Sequence, residues 1–163
     1  MFGLLKRQKY DASPLFEGAL AASRNPALYR DMGVPDTFDG RFDALLLHLW
    51  PVFRVLENDD RASQALYDFT FKRMELALRE TGTGDLGVGK NVRLMMKAFY
   101  GRMVAYNGCQ SFDAWRLALS RNLLGTVENA AVPDRLVIYA RALGDMAERD
   151  IDLKEGRITY PQL

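Results

Sequence analysis

A chain of 163 residues, 48% of them apolar, fits one domain and buries roughly two thirds of the surface that it exposes when unfolded. With 22 Lys and Arg against 21 Asp and Glu, it carries no global field for DNA or an anionic surface, so a charged partner must be read by a local patch. One cysteine, Cys109, and one histidine, His48, exclude an internal disulfide framework, a cysteine-based zinc site and an imidazole-rich metal centre.

Residues 1–5 are too short for the apolar core of a signal peptide, and Lys6, Arg7 and Lys9 follow them rather than precede them. No export signal is expected, and no apolar run approaches the ~20 residues that span a bilayer. The segment 1–12 reads as flexible. Ser13 before Pro14 supplies a cap and a fixed-φ residue in the right order, so a short helix is predicted over 13–22. Asn25-Pro26 breaks it, and a second turn over 27–32 stops at Gly33. Val34-Pro35-Asp36-Thr37 then forms a rigid lead-in, with Asp36 or Thr37 as the cap of a long helix over 38–57.

At about 100° per residue, Phe38, Phe42, Leu45, Leu49, Val52, Phe53 and Leu56 fall in one core-facing arc. Pro51 is expected to bend or divide this helix. His48 lies at the edge of the arc, either hydrogen-bonded inside the bundle or in contact with a partner or ligand. Arg41 has two readings, a local pair with Asp39 or Asp43, or a hold on a carboxylate brought by another chain.

Asn58-Asp59-Asp60 makes the next turn and cap, and the helix over 61–80 carries two apolar stripes. One runs through Ala62, Leu66, Phe69, Leu76 and Ala77, the other through Tyr67, Phe71, Met74 and Leu78. Such a helix is either central in the bundle or left with apolar surface for a partner.

A Gly-rich connector over 81–90 matches G-x-G-x-x-G at Gly82, Gly84 and Gly87 and nearly matches a phosphate loop at Gly84, Gly89 and Lys90. Both matches fail on context, because the segment follows a helix, offers Asn91 where Ser or Thr would hold magnesium, and places Asp85 where phosphates would sit. What remains is a tight helix-to-helix turn or a loop that touches a partner. The helix over 88–106 puts Val88, Val92, Met95, Met96, Phe99, Met103 and Tyr106 on one side and Lys90, Arg93 and Lys97 on the other. That basic stripe is either a solvated face or a contact for RNA, an acidic protein or lipid headgroups, and no aromatic residues interleave it as stacking platforms.

Helices over 111–124 and 133–149 follow, joined by a loop at Gly125-Thr126, and the tail 151–163 shows no helical period. The expected architecture is therefore all-α: a compact single-domain bundle of about six to seven helices over 13–150, with an extended C-terminal tail. Carboxylate pairs such as Asp39 with Asp43, or Glu75 near Arg79, have the spacing of solvated helix faces, and no catalytic group, metal or cofactor is expected.

Two blocks are distinctive. Leu28-Tyr29, then Gly33-Val34-Pro35-Asp36-Thr37-Phe38-Asp39-Gly40-Arg41-Phe42-Asp43 and Leu46-Leu47-His48, form the first. Gly84-Asp85-Leu86-Gly87-Val88-Gly89-Lys90, leading to Lys97-Ala98-Phe99-Tyr100-Gly101-Arg102, forms the second. Together they closely resemble the ubiquinol–cytochrome c chaperone family over about 25–124.

The resemblance implies a helical protein without catalytic activity that engages newly made cytochrome b near the ribosome and holds it for haem insertion and assembly into respiratory complex III. It also implies a small protein partner, and a homodimer is a further option. Because Tyr10 and Asp11 arrive where a mitochondrial presequence would run, the chain looks like a bacterial member, cytoplasmic and peripheral at the inner membrane. The candidate contacts for the client are the stripe Tyr67, Phe71, Met74 and Leu78, oriented by Asp36, Arg41 and His48 beside Phe38. The second block adds Asp85, Leu86, Tyr100 and Arg102. An RNA- or ribosome-binding adaptor using Lys90, Arg93 and Lys97 is the alternative, and a protein that binds a small hydrophobic ligand is a third.

Overall fold

The structure, a computed structural model, describes residues 9–125 and 131–163. Seven α-helices follow one another: α1 (Ser13–Ser23), α2 (Pro26–Arg30), α3 (Phe38–Val55), α4 (Asp60–Glu80), α5 (Asp85–Asn107), α6 (Phe112–Asn122) and α7 (Asp134–Gly144). A 3-10 turn, Glu148–Asp150, leads into two short strands, β1 (Ile151–Asp152) and β2 (Arg157–Ile158). The expected all-α bundle is what the chain forms, and a two-stranded hairpin is the addition.

Helix starts follow the side chains that can accept from free backbone N–H groups. Asn25 caps α2, Thr37 caps α3 through Gly40 N at 3.1 Å, Asp59 caps α4 and Ser111 caps α6. At α1 the acceptor is two residues earlier than expected: Asp11 Oδ1 takes both the N–H and the hydroxyl of Ser13, and Ser13 is the first helical residue rather than the cap.

Helix α3 is the axis of the bundle. From Phe42 to Val52 every residue is buried, including Asp43 and His48. A helix apolar on one arc needs neighbours on one side; α3 has them on all sides, from α1, α5 and α7. The central position that the two stripes of α4 suggested thus belongs to α3. Pro51 lies inside α3 without dividing it: the helix is continuous to Val55, and the bond that proline cannot donate is outweighed by dense burial around it.

The Gly-rich connector is shorter than its sequence suggests. Thr81 and Gly82 close α4, with Gly82 at φ +83°, a conformation that glycine adopts without strain. Gly84 then caps α5, and Asp85-Leu86-Gly87-Val88-Gly89-Lys90 is already helix. No extended phosphate-cradling loop exists there.

Residues 1–8 of the N-terminal segment, and Thr126 of the loop after α6, lie outside the described residues. Tyr10 and Ala12 pack on the body, Tyr10 donating its hydroxyl to the Leu153 carbonyl at 3.2 Å. The tail crosses α1, where Ile158 lies against Gly18, and Tyr160 donates to the carbonyl of His48 at 2.8 Å.

Candidate functional site

The first turns of α3, the last turns of α4 and the middle of α5 enclose an open groove of about 500 Å³. Phe38, Phe42, Leu78, Leu94, Met95 and Ala98 supply its apolar lining, and Asp39, Asn91, Asp43 and Arg102 its polar groups. A second cavity of about 310 Å³ opens on the other side of Phe38 and Phe42, over Met74 and Ala77, with Arg24 and Arg41 in its wall. Phe38 is 37% exposed and Leu94 56%, so the rim holds large apolar side chains in solvent above a floor of buried ones.

Arg102 Nε donates to Asp43 Oδ1 at 2.8 Å, joining α5 to α3 across 59 residues. The pair is mostly out of solvent, with side-chain exposures of 20% and 11%. Burial pushes the Asp43 carboxyl up to about 6 although the Arg102 hydrogen bond and charge pull it down. The pair puts a fixed dipole in a wall that Asp39 and Asn91 also make polar.

Several expected contacts need correction. Phe71, Met74 and Leu78 are buried at 5%, 9% and 6% exposure, packed inward by α4 against α1 and α5. They do not form an open stripe; Met74 and Leu78 reach the surface only as floor of the two cavities. Tyr67 is half-buried in an aromatic cluster with Phe71, Phe99 and Tyr100.

His48 is fully buried and reaches no surface. Its Nδ1 lies 2.7 Å from the Ala44 carbonyl, which can only accept, so Nδ1 carries the proton and Nε2 accepts from the Tyr139 hydroxyl at 2.8 Å. Burial lowers its pKa to about 4, and it is a neutral core histidine. Arg41 pairs with neither Asp39 nor Asp43; its Nε donates to Asp36 Oδ1 at 2.6 Å in an exposed pair, and of the two only Arg41 lines the second cavity.

In the second block, Asp85 sits in the first turn of α5 and is bound by Arg79, which also pairs with Glu75 at 2.9 Å. A carboxylate there complements the helix dipole. Leu86, Lys90, Arg93, Lys97 and Tyr100 all face solvent. Among the described residues no carboxylate pairs with Lys90, Arg93 or Lys97. Sequence reasoning missed Asp43 as the partner of Arg102, and Leu94 and Val104 as exposed apolar residues. Asp43 and Arg102 both stand in the distinctive blocks, which was the available signal.

A smaller cavity of about 250 Å³ lies beside Trp50, Tyr106 and Trp115. Two of its lining side chains are engaged: Trp50 Nε1 donates to Asn107 at 2.7 Å and Arg54 to the Gly144 carbonyl at 2.5 Å. No cluster of potential metal ligands occurs among the described residues, and no described helix is long and apolar enough to cross a membrane.

A family model described as ubiquinol-cytochrome C chaperone matches residues 30–150. Among solved structures the chain is similar to the crystal structure of the Cbp3 homolog from Brucella abortus, at 29% identity and a TM-score of 0.76, with 93% of this chain and 88% of that one covered. No curated protein matches the chain.

Proposed function

Because the chain belongs to the ubiquinol–cytochrome c chaperone family, we propose that it is a non-enzymatic assembly chaperone that binds newly made cytochrome b and supports biogenesis of respiratory complex III. The observation that carries this reading is the groove between α3, α4 and α5. It offers a trough of apolar side chains edged by Asp39, Asn91 and the Asp43–Arg102 pair, open enough to accept and release a segment of another protein.

A client helix destined for a membrane exposes apolar side chains that need temporary cover. Phe38 and Leu94 on the rim, with Met95 below, supply cover that can adjust its shape, because methionine and the flanking rim side chains change rotamer at little cost. Asp43 and Arg102 would orient a polar group of the client. Arg41 stands in the wall of the neighbouring cavity, and its exposed pair with Asp36 exchanges partners easily. A cytoplasmic site of action beside the inner membrane is consistent with this role.

Site-specific photo-crosslinking tests the reading. A probe at Leu94 or Phe38 is expected to capture nascent cytochrome b, and one at the exposed Gln64 on α4 is not. Replacement Leu94→Asp is expected to lower cytochrome b accumulation without unfolding the protein, since the side chain is half in solvent. Normal complex III levels in a strain lacking the protein would defeat the proposal.

A further inference from the structure

The outward side of α5 is not the simple wet face that its cations suggest. At about 100° per residue, Leu86, Lys90, Arg93, Lys97, Tyr100 and Val104 all fall within about 40° of one line along the helix. Leu86 is 94% exposed, Val104 74% and Tyr100 59%. The line runs for about 27 Å at 1.5 Å per residue; the carboxylate beside its first residue, Asp85, is bound by Arg79, and Asp60 lines a cavity with Tyr100 toward its other end. Among the described residues Lys90, Arg93 and Lys97 have no carboxylate partner, as is also true of Arg24, Arg61, Lys72 and Arg121; what sets these three apart is their alignment on one line between exposed apolar side chains.

We propose that this face of α5 docks on an anionic lipid bilayer surface. Unpaired cations at mid-helix suit lipid phosphates, and apolar side chains at both ends and an aromatic ring beside them suit the boundary between headgroups and acyl chains. A ridge that binds single-stranded RNA needs several aromatic platforms between its cations, and Tyr100 alone supplies one. Apolar side chains as exposed as Leu86 and Val104 add nothing to a phosphate-tracking ridge. The groove opens on the adjoining flank of α5, through Leu94 and Ala98, so a docked molecule would hold the groove beside the membrane surface. Docking goes beyond the client reading and can fail without it.

Co-sedimentation of the full chain with phosphatidylcholine vesicles, with and without phosphatidylglycerol, is the test. Binding is expected only with the anionic lipid and is expected to weaken with added salt. The triple variant Lys90→Gln, Arg93→Gln, Lys97→Gln is expected to lose on the order of a hundredfold in partitioning. The double variant Leu86→Asn, Val104→Asn is expected to lose about tenfold while keeping all three charges. Circular dichroism should be unchanged in both, because every replaced side chain is exposed. Equal binding to both vesicle types, no binding to either, or an undiminished Leu86→Asn, Val104→Asn double variant would overturn the proposal. So would RNA that competes the protein off vesicles and binds both it and that double variant equally well.

Discussion

Asp43 and Arg102 stand 59 residues apart in the chain and share one hydrogen bond of 2.8 Å, which fastens the central helix to α5 beside the groove. Removing one partner of a buried pair leaves an uncompensated charge, which typically costs 3–5 kcal/mol, more than the pair itself contributes. Arg102→Met is therefore expected to destabilise strongly, by about 3 kcal/mol given the partial exposure. The double change Asp43→Asn, Arg102→Met should recover much of that loss. Urea midpoints of the three variants measure the coupling.

The pH dependence of stability is set by two buried groups with opposite signs. Asp43 titrates near 6 in the fold against an ordinary 3.8, so its contribution is fully present below pH 3.8 and is lost as pH rises through about 6. His48 titrates near 4 against 6.5, so its contribution is fully present above pH 6.5 and is lost as pH falls through about 4. Each is worth about 3 kcal/mol. The wild type should therefore show a nearly flat stability between pH 4 and 6.5. Asp43→Asn should lose stability on acidification and His48→Gln should gain it. Parallel slopes in the two variants would show that these groups do not control the profile.

Two buried tyrosines are expected to respond differently to loss of the hydroxyl. Tyr139 donates to His48 Nε2, so Tyr139→Phe strands a buried acceptor and should cost about 1–3 kcal/mol. The Tyr106 hydroxyl is buried with no hydrogen-bond partner among the described residues, so Tyr106→Phe removes a desolvated group and no bond. It should be neutral or stabilising by about 1 kcal/mol. Thermal or urea unfolding compares the pair directly.

Gly40 is fixed by its neighbour rather than by its own dihedral angles. A Cβ there would lie 2.0 Å from the Pro35 carbonyl oxygen, and backbone cannot yield as a side-chain tip can. Gly40→Ala is expected to lose roughly 1–3 kcal/mol or more and to displace the lead-in that holds Asp36 near Arg41. A variant that melts with the wild type would show that the lead-in gives way freely.

The elements that declare themselves by local chemistry were legible in the sequence. Thr37 and Asp59 read as caps or turn residues and do cap helices, while Ser111, read as the start of its helix, is the cap just before it. The core-facing arc of α5 also holds, with Val88, Met95, Phe99 and Tyr106 buried.

What periodicity cannot report is how many sides of a helix are covered. The arc drawn for α3 left out Asp43 and placed His48 at its edge, yet both are inside, because burial on the remaining sides comes from α5 and α7. The second stripe of α4 is apolar because α5 covers it, and sequence alone cannot distinguish a covered stripe from a bare one. At 85–90 two glycines, Gly87 and Gly89, disguised the first turns of a helix that the Gly84 cap and the Asp85 charge sustain. The site suffered most, since its ion pair spans residues that no local pattern connects.

The hairpin and the residues after it seal one flank of α1 and cover the carbonyl of His48 through Tyr160. A variant that lacks the Tyr160 hydroxyl would leave that carbonyl without its long-range donor and would open the flank of the core beside α1 to water.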